Sequence, residues 1–121
     1  MIRIKRVYEN SSEDDGYRIL VDRLWPRGLK KDESGVDLWL KEIAPSAGLR
    51  KWFSHDPKKW AAFLKKYQRE LEGNKELLKK IYQLQKEKGV ITFLYSAKNE
   101  KHNNAIALEV FLKDLELPSS Y

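Results

Sequence analysis

Apolar positions along this chain change period several times, and each change marks an element. Ile2 and Ile4 alternate with basic residues, so residues 2–7 read as a short half-buried strand. The polar stretch 10–16, with Ser11, Ser12, Asp14, Asp15 and Gly16, reads as a turn that begins a hairpin-like or crossover link. Ile19, Leu20 and Val21 then form the unbroken apolar run of a strand over 17–21 that is covered on both faces. Pro26, Gly28 and Gly35 mark a loop. Residues 36–44 fit two periods: Val36, Trp39, Leu40 and Ile43 suit a helix, Leu38 and Leu40 a strand. Pro45 disfavours helical geometry at Ala44, which makes a strand the expectation.

From Ser46 onward the helical period dominates. Ser46 stands at an N-cap position for a short helix ending near Phe53, and Asp56 followed by Pro57 supplies a second N-cap with proline at the first helical position. Trp60, Phe63, Leu64, Tyr67 and Leu71 give the long helix one apolar stripe, ended by Gly73. Leu77, Leu78, Ile81 and Leu84 stripe the next helix, which Gly89 closes. The segment VITFLY at 90–95 is the strongest strand and is expected at the centre of the sheet. A last helix over 104–115 carries Ala105, Leu108, Phe111, Leu112 and Leu115 on one face and Ile106 with Val110 on the other, the second pair suiting a loop contact or a homodimer. Strands separated by helices predict one α/β domain over residues 1–121, a small and mainly parallel sheet covered by helices. Ligands in such sheets sit at the carboxyl ends of strands, here after Val21, Ile43 and Tyr95.

Composition narrows the chemistry. With 121 residues and 41% apolar content the chain is expected to be one small soluble domain. It contains no cysteine, which excludes a thiol nucleophile, a Cys-ligated zinc and an iron–sulfur cluster, and fits a reducing cytoplasm. No apolar targeting or membrane segment is evident, so a cytoplasmic location away from membranes is expected. The net charge of +6 is concentrated: residues 50–69 hold seven basic residues against Asp56 alone, and the remainder balances. Trp52, Phe53, Trp60, Phe63 and Tyr67 interleave with that charge, as in a nucleic-acid-binding surface. The stripe of the long helix instead turns its aromatics to the core and leaves a solvated lysine face, with Trp52 and His55 outside that reasoning.

At the strand ends the polar residues change character. The loop DRLWPRG offers Asp22, Arg23 and Arg27; guanidiniums match carboxylate or phosphate, and Asp22 would orient an arginine or clasp it. The turn SAKNEKHNNA offers Ser96, Lys98, Asn99, His102 and Asn103 before a helix whose free amides would attract an anion. His102 is a candidate acid or base. There is no glycine-rich phosphate loop, no GxSxG around Ser96 and no HExxH spacing to make His55 and His102 a metal site.

The phrases LVDRLWPRG, DLWLKEIAPS, LRKWFSHDPKKW and TFLYSAKNEKHNNA, in this order along the chain, resemble the YeaO-like family of bacterial and archaeal proteins. The resemblance implies a compact α/β domain within a larger group named only as a domain of unknown function. Other branches of that group carry Cys-His-Arg where this chain has Lys101, His102 and Asn103, so thiol- or arginine-based activity is not carried over. The resemblance also gathers its polar motif residues at the predicted strand ends. The leading expectation is therefore a small anionic or phosphorylated ligand held by Arg23, Arg27, Arg50, Lys98, Asn99 and Asn103, with His102 and Asp22 as the candidate catalytic pair. Nucleic acid on the basic segment 50–69 and a structural homodimer are the alternatives. His55, in the joint between two helices, is expected to satisfy open backbone groups, leaving His102 as the functional histidine.

Overall fold

The computed structural model describes the backbone of residues 1–115 and the side chains of residues 1–113. Four strands form one parallel sheet: β1 (Ile2–Arg6), β2 (Tyr17–Leu20), β3 (Leu38–Trp39) and β4 (Ile91–Tyr95), in the order β1-β4-β2-β3. VITFLY thus lies between two neighbours, as its composition predicts, with Phe93 opposite Ile4 on one side and Ile19 on the other. Every residue of β4 is buried. Four helices follow the expected boundaries closely: α1 (Ala47–Phe53), α2 (Trp60–Glu72), α3 (Lys75–Lys88) and α4 (Asn104–Leu115).

The caps explain those boundaries. The Ser46 hydroxyl accepts from the Leu49 N–H to open α1, and the Asp56 carboxylate accepts from the Lys58 N–H at the 3-10 turn Pro57–Lys59 that leads into α2. In α2 the residues Phe63, Tyr67 and Leu71 are buried, so its aromatics face inward and its lysines outward. Residues 36–44 resolve into the two-residue β3 followed by a 3-10 turn, Lys41–Ile43, which explains why both periods fitted. In α4, Ala105, Ala107, Leu108 and Phe111 are buried, while Ile106 is half-buried and Val110 exposed. The Leu115 side chain lies outside the described residues.

The helices cover one face of the sheet, and loops cover the other. Ile19, Val21, Ile91, Phe93 and Tyr95 share one core with buried residues of all four helices, whereas Leu20 and Leu94 pack with Val7, Trp25, Leu29, Val36 and Trp39, all from loops or from β3. The physical reason is that the loop-covered face also carries charge. Asp15, fully buried, accepts from Lys5 Nζ at 3.1 and 3.2 Å, from the Ser12 N–H at 3.1 Å and from Arg18 Nη1, while its carbonyl accepts from the Thr92 hydroxyl. A polar link with its own capping box, Ser12 to Asp15, satisfies these groups where an apolar helix face could not. Burial alone would push the Asp15 carboxyl up, but the Lys5, Ser12 and Arg18 hydrogen bonds and the Lys5 charge outweigh it and hold it below the ordinary value. Gly16 ends this link at φ +62, and a Cβ there would stand 2.2 Å from the Val90 carbonyl oxygen. Among the described residues no helix is long and apolar enough to cross a membrane.

Candidate functional site

The carboxyl ends of β1, β2 and β4 and the start of α1 open on one cleft of about 1120 Å³. It is lined by all eight residues singled out from the sequence: Asp22, Arg23, Arg27, Arg50, Lys98, Asn99, His102 and Asn103. Arg6, Tyr8, Lys51, His55 and Asn104 join them without having been expected at the site. For Arg6 and Tyr8 the only available signal was position, since both stand where β1 ends, and a strand edge with basic residues reads as surface.

The arginines divide into two groups. Arg23 Nε and Nη2 donate to the carbonyls of Pro45 and Ala44, each at 3.2 Å, tying the loop after β2 to the turn before α1. Arg6 Nε and Nη2 donate to the carbonyls of Ala97 and Ser96, each at 2.9 Å, tying the end of β1 to the turn after β4. Arg27, Arg50, Lys51 and Lys98 are exposed, and none of them has an ion-pair partner among the described residues.

Asp22 departs from its expected role. It neither orients nor clasps an arginine: Oδ2 accepts from the Ser96 N–H at 3.0 Å and the Ser96 hydroxyl at 2.6 Å, and Oδ1 accepts from Asn104 Nδ2 at 3.0 Å. Asn104 Nδ2 donates also to the Val21 carbonyl, so the carboxylate clips the end of β2 to β4 and to the start of α4.

The turn after β4 is likewise built from its own side chains. Asn99 Oδ1 accepts from the N–H groups of Lys101 and His102, and Asn103 donates to the Asn99 carbonyl while its Oδ1 accepts from the Ile106 N–H. Of the amides in this turn and at the helix start, those of Lys101, His102 and Ile106 are thus taken by the two asparagines. His102 is half-buried, its ring edge-on to Trp60 at 5.0 Å and its Nδ1 3.4 Å from the Asn99 amide. His55 is exposed and its ring makes no hydrogen bond among the described residues. The groups it was expected to satisfy are met by the backbone: the Ser54 N–H donates to the Arg50 carbonyl and the Asp56 N–H to the Phe53 carbonyl. Ser54 and His55 hold positive φ angles of 46° and 57° to allow this.

Around the cleft, burial first and the nearby Glu70 and Asp22 charges second push the Tyr67 hydroxyl far up; it stays protonated and donates to the Ile43 carbonyl. Among the described residues no group of three His, Asp or Glu side chains could hold a metal ion.

Fold and cleft are those of a parallel α/β domain with a basic crevice at its strand ends. The family described as the inactive DUF488-N3 subclade matches residues 1–118, and the chain belongs to it. It is 46% identical over 114 residues to the uncharacterised protein YeaO of Escherichia coli strain K12, covering 94% of this chain and 98% of YeaO. Over 76 residues, 63% of this chain, it is also 46% identical to uncharacterised proteins of Mycobacterium bovis and Mycobacterium tuberculosis, in each case across 64% of the relative. No solved structure matches the chain.

Proposed function

We propose that this protein binds a small phosphorylated or carboxylated anion in the cleft and does not transform it. The observation that carries the reading is the cleft's charge imbalance: Arg27, Arg50, Lys51 and Lys98 stand exposed and unpaired among the described residues, and the lone carboxylate in the lining is Asp22, already turned onto Ser96 and Asn104. Convergent cations on walls fixed by hydrogen bonds suit anion capture. Binding without chemistry is supported by how the reactive groups are used. The Ser96 hydroxyl donates to a carboxylate rather than to a histidine, the chain has no cysteine, and Asp22 has its oxygens occupied. The description of the family as inactive agrees. In this reading His102 is an anion contact, and Asn99 and Asn103 shape the turn that carries Lys98.

The basic segment is less well suited to nucleic acid. Of its aromatics Phe53, Phe63 and Tyr67 are buried and Trp60 half-buried, which leaves Trp52 as the one exposed ring of the segment. The Ile106 and Val110 pair offers one exposed apolar side chain, too little for a dimer face.

Calorimetric titration and thermal shift with inorganic phosphate, pyrophosphate, ribose 5-phosphate and citrate test the proposal. Wild type is expected to bind at least one, with affinity that falls as salt rises and drops about tenfold in Arg27→Ala. No binding across the panel at low ionic strength overturns it.

A further inference from the structure

Two apolar side chains of the cleft are left in water by folding: Tyr8 is 43% exposed and Leu24 is 64% exposed. Tyr8 is nevertheless held in place. Its hydroxyl donates to the Arg27 carbonyl at 2.9 Å, and the Arg6 guanidinium lies 5.0 Å from its ring centroid. Arg6 is itself fixed by its two bonds to the Ser96 and Ala97 carbonyls. The ring belongs to neither hydrophobic core, so packing does not account for where it stands.

A fixed aromatic plate backed by a guanidinium, in a cleft that also holds unpaired cations, is suited to a ligand with both a planar body and an anionic group. Arg27 is joined to the ring through the carbonyl that Tyr8 bonds, Lys98 follows in the chain the Ala97 carbonyl that Arg6 bonds, and both line the same cleft as Tyr8. We infer that the ligand of the cleft is a nucleoside phosphate, its base stacked on Tyr8 and against Leu24 and its phosphate held by Arg27 and Lys98. The inference rests on the anion-binding reading of the cleft and adds the ligand class. An inorganic anion or a sugar phosphate would use the cations and leave Tyr8 and Leu24 as wet as they are without ligand.

The test compares adenosine 5′-monophosphate with ribose 5-phosphate by calorimetry on wild type, Tyr8→Phe and Tyr8→Leu, with pyrophosphate as a third probe. The two organic phosphates share a charged group and differ in the base. Wild type is expected to prefer the nucleotide by on the order of tenfold or more, the range of one base–aromatic stack. Tyr8→Phe keeps the ring and should keep most of the preference. Tyr8→Leu should bind both phosphates alike, with its affinity for ribose 5-phosphate within about twofold of wild type. Equal binding of the two by wild type overturns the inference and leaves the anion reading standing, as does binding of pyrophosphate alone. A Tyr8→Leu variant that loses both phosphates equally also overturns it, since the ring would then act through the Arg27 loop. Failure of all three probes overturns the inference, and the anion reading falls with it when inorganic phosphate and citrate fail as well. The wild-type comparison decides the matter even where a variant fails to fold.

Discussion

Replacing Asp15 with asparagine keeps the side-chain shape and removes a charge that is fully buried. In wild type its oxygens receive Lys5, Ser12 and Arg18 donors. An asparagine can accept on one oxygen only, and its amide would point donors at donors. Arg18, 4% exposed, would keep its bond to the Gly35 carbonyl but lose its counter-ion; Lys5 is 19% exposed and bonded also to the Asn10 carbonyl, and can turn to water. The cost therefore lies mainly in Arg18, and breaking a buried pair from one side costs about 3–5 kcal/mol. Against a total stability of about 5–15 kcal/mol the variant should stay folded at room temperature but melt about 12–20 °C lower.

Chemical denaturation and thermal melts of wild type and Asp15→Asn from pH 7 to pH 2 provide the assay. The folded-state pKa of Asp15 lies below the unfolded value of about 3.9, so its contribution is complete above that value and is lost as pH falls through the lower, folded one. The gap between the two proteins should be constant near neutrality and narrow below about pH 4. The double variant Asp15→Asn with Arg18→Met, which removes both charges, should recover much of the loss. A loss under about 1 kcal/mol, or a gap that does not change with pH, would refute the account of the loop-covered face as held by a buried ion network.

Gly16→Ala should lose about 2–4 kcal/mol in a denaturant melt, because both the positive φ and the 2.2 Å approach to the Val90 carbonyl act against a Cβ. Ser54→Gly, at the left-handed cap of α1, should raise the melting temperature by about 2–4 °C through relief of backbone strain. His102→Ala should cost about 1 kcal/mol through its lost contact with Trp60, whereas His55→Ala should change the melt by less than about 0.5 kcal/mol; the reverse order in the same denaturation series would contradict the placement of the two rings. Asp22→Asn should lower the melting temperature by several degrees and raise anion affinity at low salt, read by pyrophosphate titration.

Much of this was legible in the sequence because it is local. The caps at Ser46 and Asp56, the stripe of α2 and the branched, aromatic run of β4 each act within a few residues and are found where they were predicted, except that Asp56 and Pro57 open a 3-10 turn and α2 itself begins at Trp60. The gathering of Asp22, Arg23, Arg27, Arg50, Lys98 and His102 on one cleft was also legible, since a parallel sheet sends its strand ends to one side. What each does there was not, because it depends on contacts between residues distant in the chain. Nothing near Asp22 announces Ser96 or Asn104, and nothing near Arg6 announces the Ala97 carbonyl. The same holds for the sheet's second face: Arg18 and Thr92 look like interruptions in strands until Asp15 is brought over them from another part of the chain. His55 and His102 exchanged their expected degrees of commitment for this reason, as Trp60, which holds His102, is 42 residues away in sequence.

The choice of partners for Arg6 and Arg23 bears on what the cleft can do. Both guanidiniums build its walls by donating to neutral backbone carbonyls. Carboxylates in the same places would have joined the same elements but cancelled the charge. Carbonyl acceptors secure the geometry and leave the positive potential in the cleft, where low-dielectric walls concentrate it. Asp22 shows the complementary arrangement, held by a backbone amide, a hydroxyl and a carboxamide rather than by an arginine. Its negative charge secures the joint between β2, β4 and α4 without occupying any cation of the cleft. Under the proposed function, structural clasping and anion capture would draw on separate hydrogen-bonding partners, so that the polar residues at the strand ends could serve both without competing.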